Sequence, residues 1–126
     1  MKRRSILGLA LALPALLGIK AKAAPADDTP PKRYFVLMHS PGPAWVRGKS
    51  FRDQPGIGAH VGYMSGFLDQ KKLVMGGPFL DDSGGMMLFD LPSIEAARAI
   101  AGADPTVKSG LLDVHVKPWL VAMSQD

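Results

Sequence analysis

The sequence contains no cysteine. That absence excludes a disulfide scaffold, a thiolate nucleophile and any Cys-ligated zinc or iron–sulfur site. A sustained excess of charge is missing too. The formal net charge is +4, but five of the fifteen basic residues (Lys2, Arg3, Arg4, Lys20, Lys22) precede residue 24, with no acid among them. Ten basic against eleven acidic residues remain, a net charge of −1, so nothing favours nucleic acid as a partner. No apolar run reaches the roughly 20 residues that span a bilayer. Gly76-Gly77 and Gly84-Gly85 lack the Lys-Ser/Thr of a phosphate loop, and there is no nucleophile-elbow serine. What is present is a chain of 126 residues, 47% apolar and 21% charged, enough for one globular domain.

Residues 1–23 read as a secretory signal peptide. Lys2-Arg3-Arg4 is the basic start, Ser5 to Ile19 the apolar stretch, and Ala21-Lys22-Ala23 the small-x-small cleavage site. Arg3-Arg4 before Ile6-Leu7 resembles a twin-arginine signal, and the ordinary secretory route stays open beside it. Cleavage leaves 103 residues starting at Ala24, expected in the periplasm or outside the cell, with no stable membrane anchor. Residues 24–31, APADDTPP, read as a flexible linker, 32–121 as the domain and 122–126 as a C-terminal tail.

Within the domain, Tyr34–Met38 is a buried strand stopped by Ser40-Pro-Gly-Pro43. Residues 44–51 are a loop anchored by Trp45. Residues 54–70 have helical spacing, with Ile57, Val61, Met64 and Leu68 on one expected buried face. Gly56, Gly58, Gly62 and Gly66 weaken that helix, which implies close packing against another backbone. Residues 73–79 and 86–90 form a hairpin, with a kink or bulge expected at Gly76-Gly77. Ser93 caps a helix with Ile94, Ala97, Ile100 and Ala101 inward, ended by Gly102. Asp104-Pro105 opens a further turn, and Leu112, Val114 and Val116 alternate with Asp113, His115 and Lys117 in a last strand.

The order β-α-β-β-α-β is the ferredoxin-like α+β sandwich. Its first and third strands are apolar on both faces, and an uncovered face of that size is rare in monomers. A second copy packed sheet to sheet is the economical cover, so a homodimer is expected.

Tyr34-Phe-Val-Leu-Met38, His60, Gly66-Phe67-Leu68, Gly77-Pro78-Phe79, Gly84-Gly85, Ser93-Ile-Glu-Ala-Ala97, Asp104-Pro105 and Val116-Lys-Pro-Trp119 resemble, in order and spacing, the YCII-related (YciI-like) proteins. The resemblance covers residues 33–121. It implies a dimeric α+β barrel and an active-site pair that falls on His60 and Asp104. Thr106 departs from the pattern, since many members carry an aromatic after Asp-Pro. One activity known in the family is chloride elimination from a chlorinated aromatic ring.

From the residues alone, His60 lies at the edge of the helix face defined by Ile57 and Met64. Histidine's ordinary pKa of about 6.5 suits a general base near neutrality. A carboxylate such as Asp104 holds the Nδ1 proton of such a base. The competing interpretation makes His60 a core-edge histidine and Asp104 a helix cap. His39 is either at a pocket mouth or on the surface at a strand end, and Gly77, Pro78 and Phe79 are candidates for the substrate wall. Metal binding by His39, His60 and His115 has no spacing motif behind it, so no metal and no cofactor are expected. Two functional classes stay open. One is a cofactor-free acid–base enzyme, of elimination or lyase type, acting on a small cyclic or aromatic molecule. The other is a non-catalytic dimeric module that binds a small molecule.

Overall fold

The computed structural model describes residues 30–125. The expected signal peptide and all but the end of the linker lie outside the described residues. Four strands and three α-helices follow in the order β1 (Arg33–Pro41), α1 (Ile57–Asp69), β2 (Leu73–Pro78), β3 (Gly85–Phe89), α2 (Ile94–Gly102), α3 (Pro105–Lys108) and β4 (Leu112–Leu120). A short 3-10 turn, Phe51–Asp53, precedes α1. The sheet is antiparallel with strand order β2-β3-β1-β4, the ferredoxin-like arrangement. Among the described residues no helix is long and apolar enough to cross a membrane.

Strand alternation decides what lies between sheet and helices. Leu37 pairs with Met87 and with Val116, and Phe35 with Phe89. These side chains meet Met64 of α1 and Ala97 and Ala101 of α2 in the main core. Ser93 caps α2 by accepting the Ala96 amide proton at 3.1 Å. The Tyr63 hydroxyl of α1 donates to the Ile100 carbonyl of α2 at 2.8 Å, which ties the helices together. The other sheet face carries Tyr34, Val36, Met38, Met86 and Leu88, with Met75 and Trp119 beside them. Met75 and Trp119 are largely exposed.

Several elements differ from the sequence expectation. β1 runs through Ser40-Pro41, because β4 keeps pairing with it as far as Leu112. α1 buries Ile57, His60 and Met64, while Val61 and Leu68 are each more than half exposed. The helix is turned so that His60, not Val61, faces inward. The sheet irregularity falls between Leu73 and Met75, before the glycines rather than at them. A side chain at Gly58, Gly62 or Gly66 would meet open space, so those glycines do not mark close backbone packing. Close approach is real elsewhere. Gly84 has φ +125°, and a Cβ there would collide with the His39 carbonyl. This glycine lets the β2–β3 hairpin close on the strand that carries His39.

Candidate active site

The site forms where α1, β1 and the start of α3 converge. α1 places His60 inward one turn after Ile57. α2 ends at Gly102, and two residues later Asp104 becomes the N-cap of α3, with Pro105 at the first helical position. The cap uses one carboxylate oxygen only. Asp104 Oδ1 accepts the Thr106 amide at 2.9 Å and the Thr106 hydroxyl at 2.7 Å. Oδ2 is thereby turned to α1, where His60 Nδ1–H donates to it at 2.6 Å. A carboxylate can only accept, so Nδ1 carries the proton and Nε2 is the basic atom of the neutral ring.

His39, inside β1, completes a trio. It is 2% exposed, and its ring meets His60 edge to face at 4.9 Å between centroids. Its Nε2 lies 3.6 Å from Asp104 Oδ2, beyond hydrogen-bond distance, so the contact is electrostatic. Neither His39 ring nitrogen has a hydrogen-bond partner among the described residues. An unpaired buried polar group costs about 1–3 kcal/mol, which marks His39 as a position held for something other than packing.

Burial alone would raise the pKa of Asp104. The neighbouring His39 and His60 imidazoles and the two Thr106 donors outweigh it and hold the carboxyl well below the usual carboxylate range. Asp104 is therefore a buried anion against two imidazoles at neutral pH.

His39 and His60 line a cavity of about 260 Å³. An apolar cavity of roughly 150 Å³ accommodates benzene, so this one has room for a substituted single ring. Its walls are mostly apolar, with Phe51, Met64, Leu73 and Met87 among the lining residues together with Gly76, Gly77 and Pro78. Asp104 does not line it. Phe51 arrives from the loop before α1, stacks edge-on against His60 at 6.3 Å, and packs on Trp45. Gln54 holds that loop, accepting from the Val46 amide and donating to the Val46 and Lys49 carbonyls. The Phe51 amide in turn donates to Asp82 of the β2–β3 turn at 3.0 Å.

Of the residues singled out in the sequence, His39, His60, Gly77 and Pro78 border the cavity, and Asp104 supports it from behind. Phe79 is not among the lining residues; its amide donates to the Gly84 carbonyl. His115 is exposed and pairs with Met38, on the sheet face opposite His39. The trio that converges is thus His39, His60 and Asp104, with one ligand-type atom from each within 4.8 Å of the others. With metal–ligand bonds of about 2.1 Å, His60 Nδ1 and Asp104 Oδ2 at their present 2.6 Å would subtend only about 76°, far below a tetrahedral angle. The pair would have to open to hold an ion; as it stands it is a hydrogen-bonded pair. Phe51, Gln54 and the hydroxyl of Thr106 had no assigned role from sequence. Thr two residues after a capping Asp is the one local signal from which the Thr106 bond could have been read.

Residues 34–120 match the YCII-related domain family. The uncharacterized protein YjpA of Bacillus subtilis (strain 168) is 34% identical over 67 residues, which is 53% of this chain and 79% of that protein. Among solved structures, the chain is similar to 5-chloro-2-hydroxyhydroquinone dehydrochlorinase (TftG) from Burkholderia phenoliruptrix AC1100, in complex with 2,5-dihydroxybenzoquinone. The TM-score is 0.54 at 22% identity, over 68% of this chain and 92% of that one. That likeness concerns the α+β fold alone.

Proposed function

Because the chain belongs to the YCII-related domain family, we propose that it is an acid–base enzyme acting on a small hydroxylated ring, with His60 as general base. The observation that carries this reading is the 2.6 Å His60–Asp104 bond at the wall of a ring-sized, mostly apolar cavity. Asp104 fixes the tautomer that leaves Nε2 basic, and its charge stabilises the imidazolium formed when Nε2 takes a proton. Gly77 and Pro78 form the flat side of the substrate wall, with Phe51 opposite in chemistry, an aromatic face for the ring. The chemistry asked of the protein is proton removal coupled to tautomerisation or to loss of a leaving group. It uses side chains alone, without metal or cofactor.

The ligand named for the similar dehydrochlorinase, a dihydroxylated quinone, supports a hydroxylated ring as the substrate class. In the test, the protein is incubated with 5-chloro-2-hydroxyhydroquinone under anaerobic conditions, and chloride and the ring spectrum are followed. Chloride release that falls by about 10²–10⁴-fold in His60→Ala and in Asp104→Asn is the expected result. Asn retains a cap oxygen for Thr106, but its NH₂ group facing His60 Nδ1 forces the proton to Nε2. Saturable binding without turnover of any hydroxylated ring would favour the non-catalytic binding module.

The same reading includes export and pairing. The basic-apolar-AKA pattern of residues 1–23 supports cleavage before Ala24, and intact mass of periplasmic protein tests it: a full-length mass there contradicts it. The apolar outer sheet face supports a homodimer.

A further inference from the structure

We propose that the cavity takes a neutral hydroxylated ring with an apolar substituent of about three or four carbons, which lies along α1 between Val61 and Leu68. The proposal deepens, and rests on, the reading of this cavity as the substrate site. Three observations lead to it. The lining runs along α1 from His60 to Leu68, about 12 Å at the rise of a helix, which is longer than one ring needs. The volume, about 260 Å³, exceeds by roughly 110 Å³ the roughly 150 Å³ that holds benzene. And no Asp, Glu, Lys or Arg lines the cavity among the described residues.

His60 fixes the hydroxyl end of the ring, so the surplus space lies toward Leu68. At about 30 Å³ per carbon-sized group, the share of one water in the liquid, that surplus holds three or four such groups. The side chains around it are apolar. Met64 and Leu73 are buried, while Val61 and Leu68 line the same cavity and are each more than half exposed. Val61, Ser65 and Leu68 fall at i, i+4 and i+7, one ridge of the helix. A single exposed Leu carries no message. Two apolar side chains on one ridge, at the rim of an apolar cavity, form a surface that an alkyl group covers. Ser65 brings the one hydroxyl of the lining, a neutral partner. A carboxylate on the ring would enter this space with no cation to meet it, and with the ionised Asp104 behind His60. Burying an unpaired charge is far more costly than burying a neutral group, so acidic rings are disfavoured.

The probes are resorcinol, 4-ethylresorcinol, 4-butylresorcinol, 4-hexylresorcinol and 2,4-dihydroxybenzoate, titrated into the protein by calorimetry at pH 7. Affinity should rise about fourfold per carbon up to butyl, the factor that one buried methylene supplies. It should level off at hexyl, whose last carbons pass the mouth. 2,4-Dihydroxybenzoate should bind at least about tenfold more weakly than resorcinol. Leu68→Lys, at an exposed position, puts a cation on the ridge. It should cut the butyl-to-resorcinol affinity ratio at least about tenfold and tighten 2,4-dihydroxybenzoate, opposite changes that a misfolded variant does not give. Val61→Lys, also at an exposed position, covers the case in which the first variant does not fold. Equal affinity for resorcinol and 4-butylresorcinol would overturn the proposal. So would a ratio unchanged in both folded lysine variants, or 2,4-dihydroxybenzoate binding as tightly as the butyl compound. A lysine variant that halves the mass in light scattering and keeps the ratio would assign the ridge to pairing between copies, and that also overturns it. Failure of the underlying reading has a different signature. No chloride release from 5-chloro-2-hydroxyhydroquinone, with the affinity series as expected, removes the acid–base reaction and leaves the ligand class standing. No binding of any of these compounds removes both.

Discussion

At the residue scale, Asp104 does two jobs with two oxygens. Oδ1 begins a helix and Oδ2 orients a histidine. Its lowered pKa has a consequence for stability. An unfolded Asp takes up a proton near pH 3.9, whereas the folded Asp104 stays ionised to lower pH. Between the two values the unfolded chain binds the extra proton, so stability falls as pH falls. The contribution of the ionised carboxylate is complete above that range and is lost on descending through it. Asp104→Asn cannot take up the proton. The stability gap between wild type and this variant should therefore be widest at neutral pH and narrow below about pH 4. Urea unfolding of both proteins at pH 7, 5 and 3 checks this; a gap that widens in acid would contradict it. The pairing of His60 with Asp104 came from the family resemblance; helix period and cap chemistry, being local signals, gave only a histidine at the edge of a helix face and a capping Asp. The burial of His39 was not legible, since β1 is apolar on both faces and its alternation does not say which face the helices cover.

At the element scale, α1 shows what periodicity can miss. Ile57, Val61, Met64 and Leu68 satisfy a helical stripe, yet the buried stripe is Ile57, His60 and Met64. The apolar band is wider than the core contact, and Val61 and Leu68 border the cavity instead of filling it. A histidine in the inward position does not register as core in an apolar pattern, and this displaced the expected face. The glycines of α1 follow the same lesson. They lie where a Cβ has open space, so their cost in helix propensity is not offset by packing. Gly62→Ala should raise stability by up to about 1 kcal/mol, read from urea midpoints with an unchanged slope. A loss of stability would show that another surface packs against this stripe. The loop holding Phe51 carries no period at all, and its place over His60 depends on Gln54 and Asp82, which are distant or irregular partners. No local pattern announces such contacts.

For the whole molecule, the split βαβ order sets the site. Both helices cover one sheet face, so a residue one turn into α1 and another just after α2 meet over β1. The element order was readable from the chain, and with it the sheet. The opposite face carries Val36 and Leu88, both already buried, with Met75 and Trp119 exposed beside them, and it is the surface we propose for pairing of two copies. Light scattering of the domain at micromolar concentration should give twice the chain mass, and Met75→Lys, at an exposed position of this face, should shift it to the monomer. A wild-type monomer that is soluble and folded would contradict the pairing.

In the proposed reaction, Nε2 of His60 receives a proton from a ring hydroxyl in the cavity behind which Asp104 sits. A crystal soaked anaerobically with 1,2,4-trihydroxybenzene tests it most directly. Ring density is expected among Phe51, Gly77 and Pro78, with a hydroxyl oxygen at hydrogen-bond distance, about 2.6–3.2 Å, from His60 Nε2 and the His60–Asp104 bond intact. Density confined to another part of the surface, or a ring in this cavity with no oxygen near His60, would contradict it.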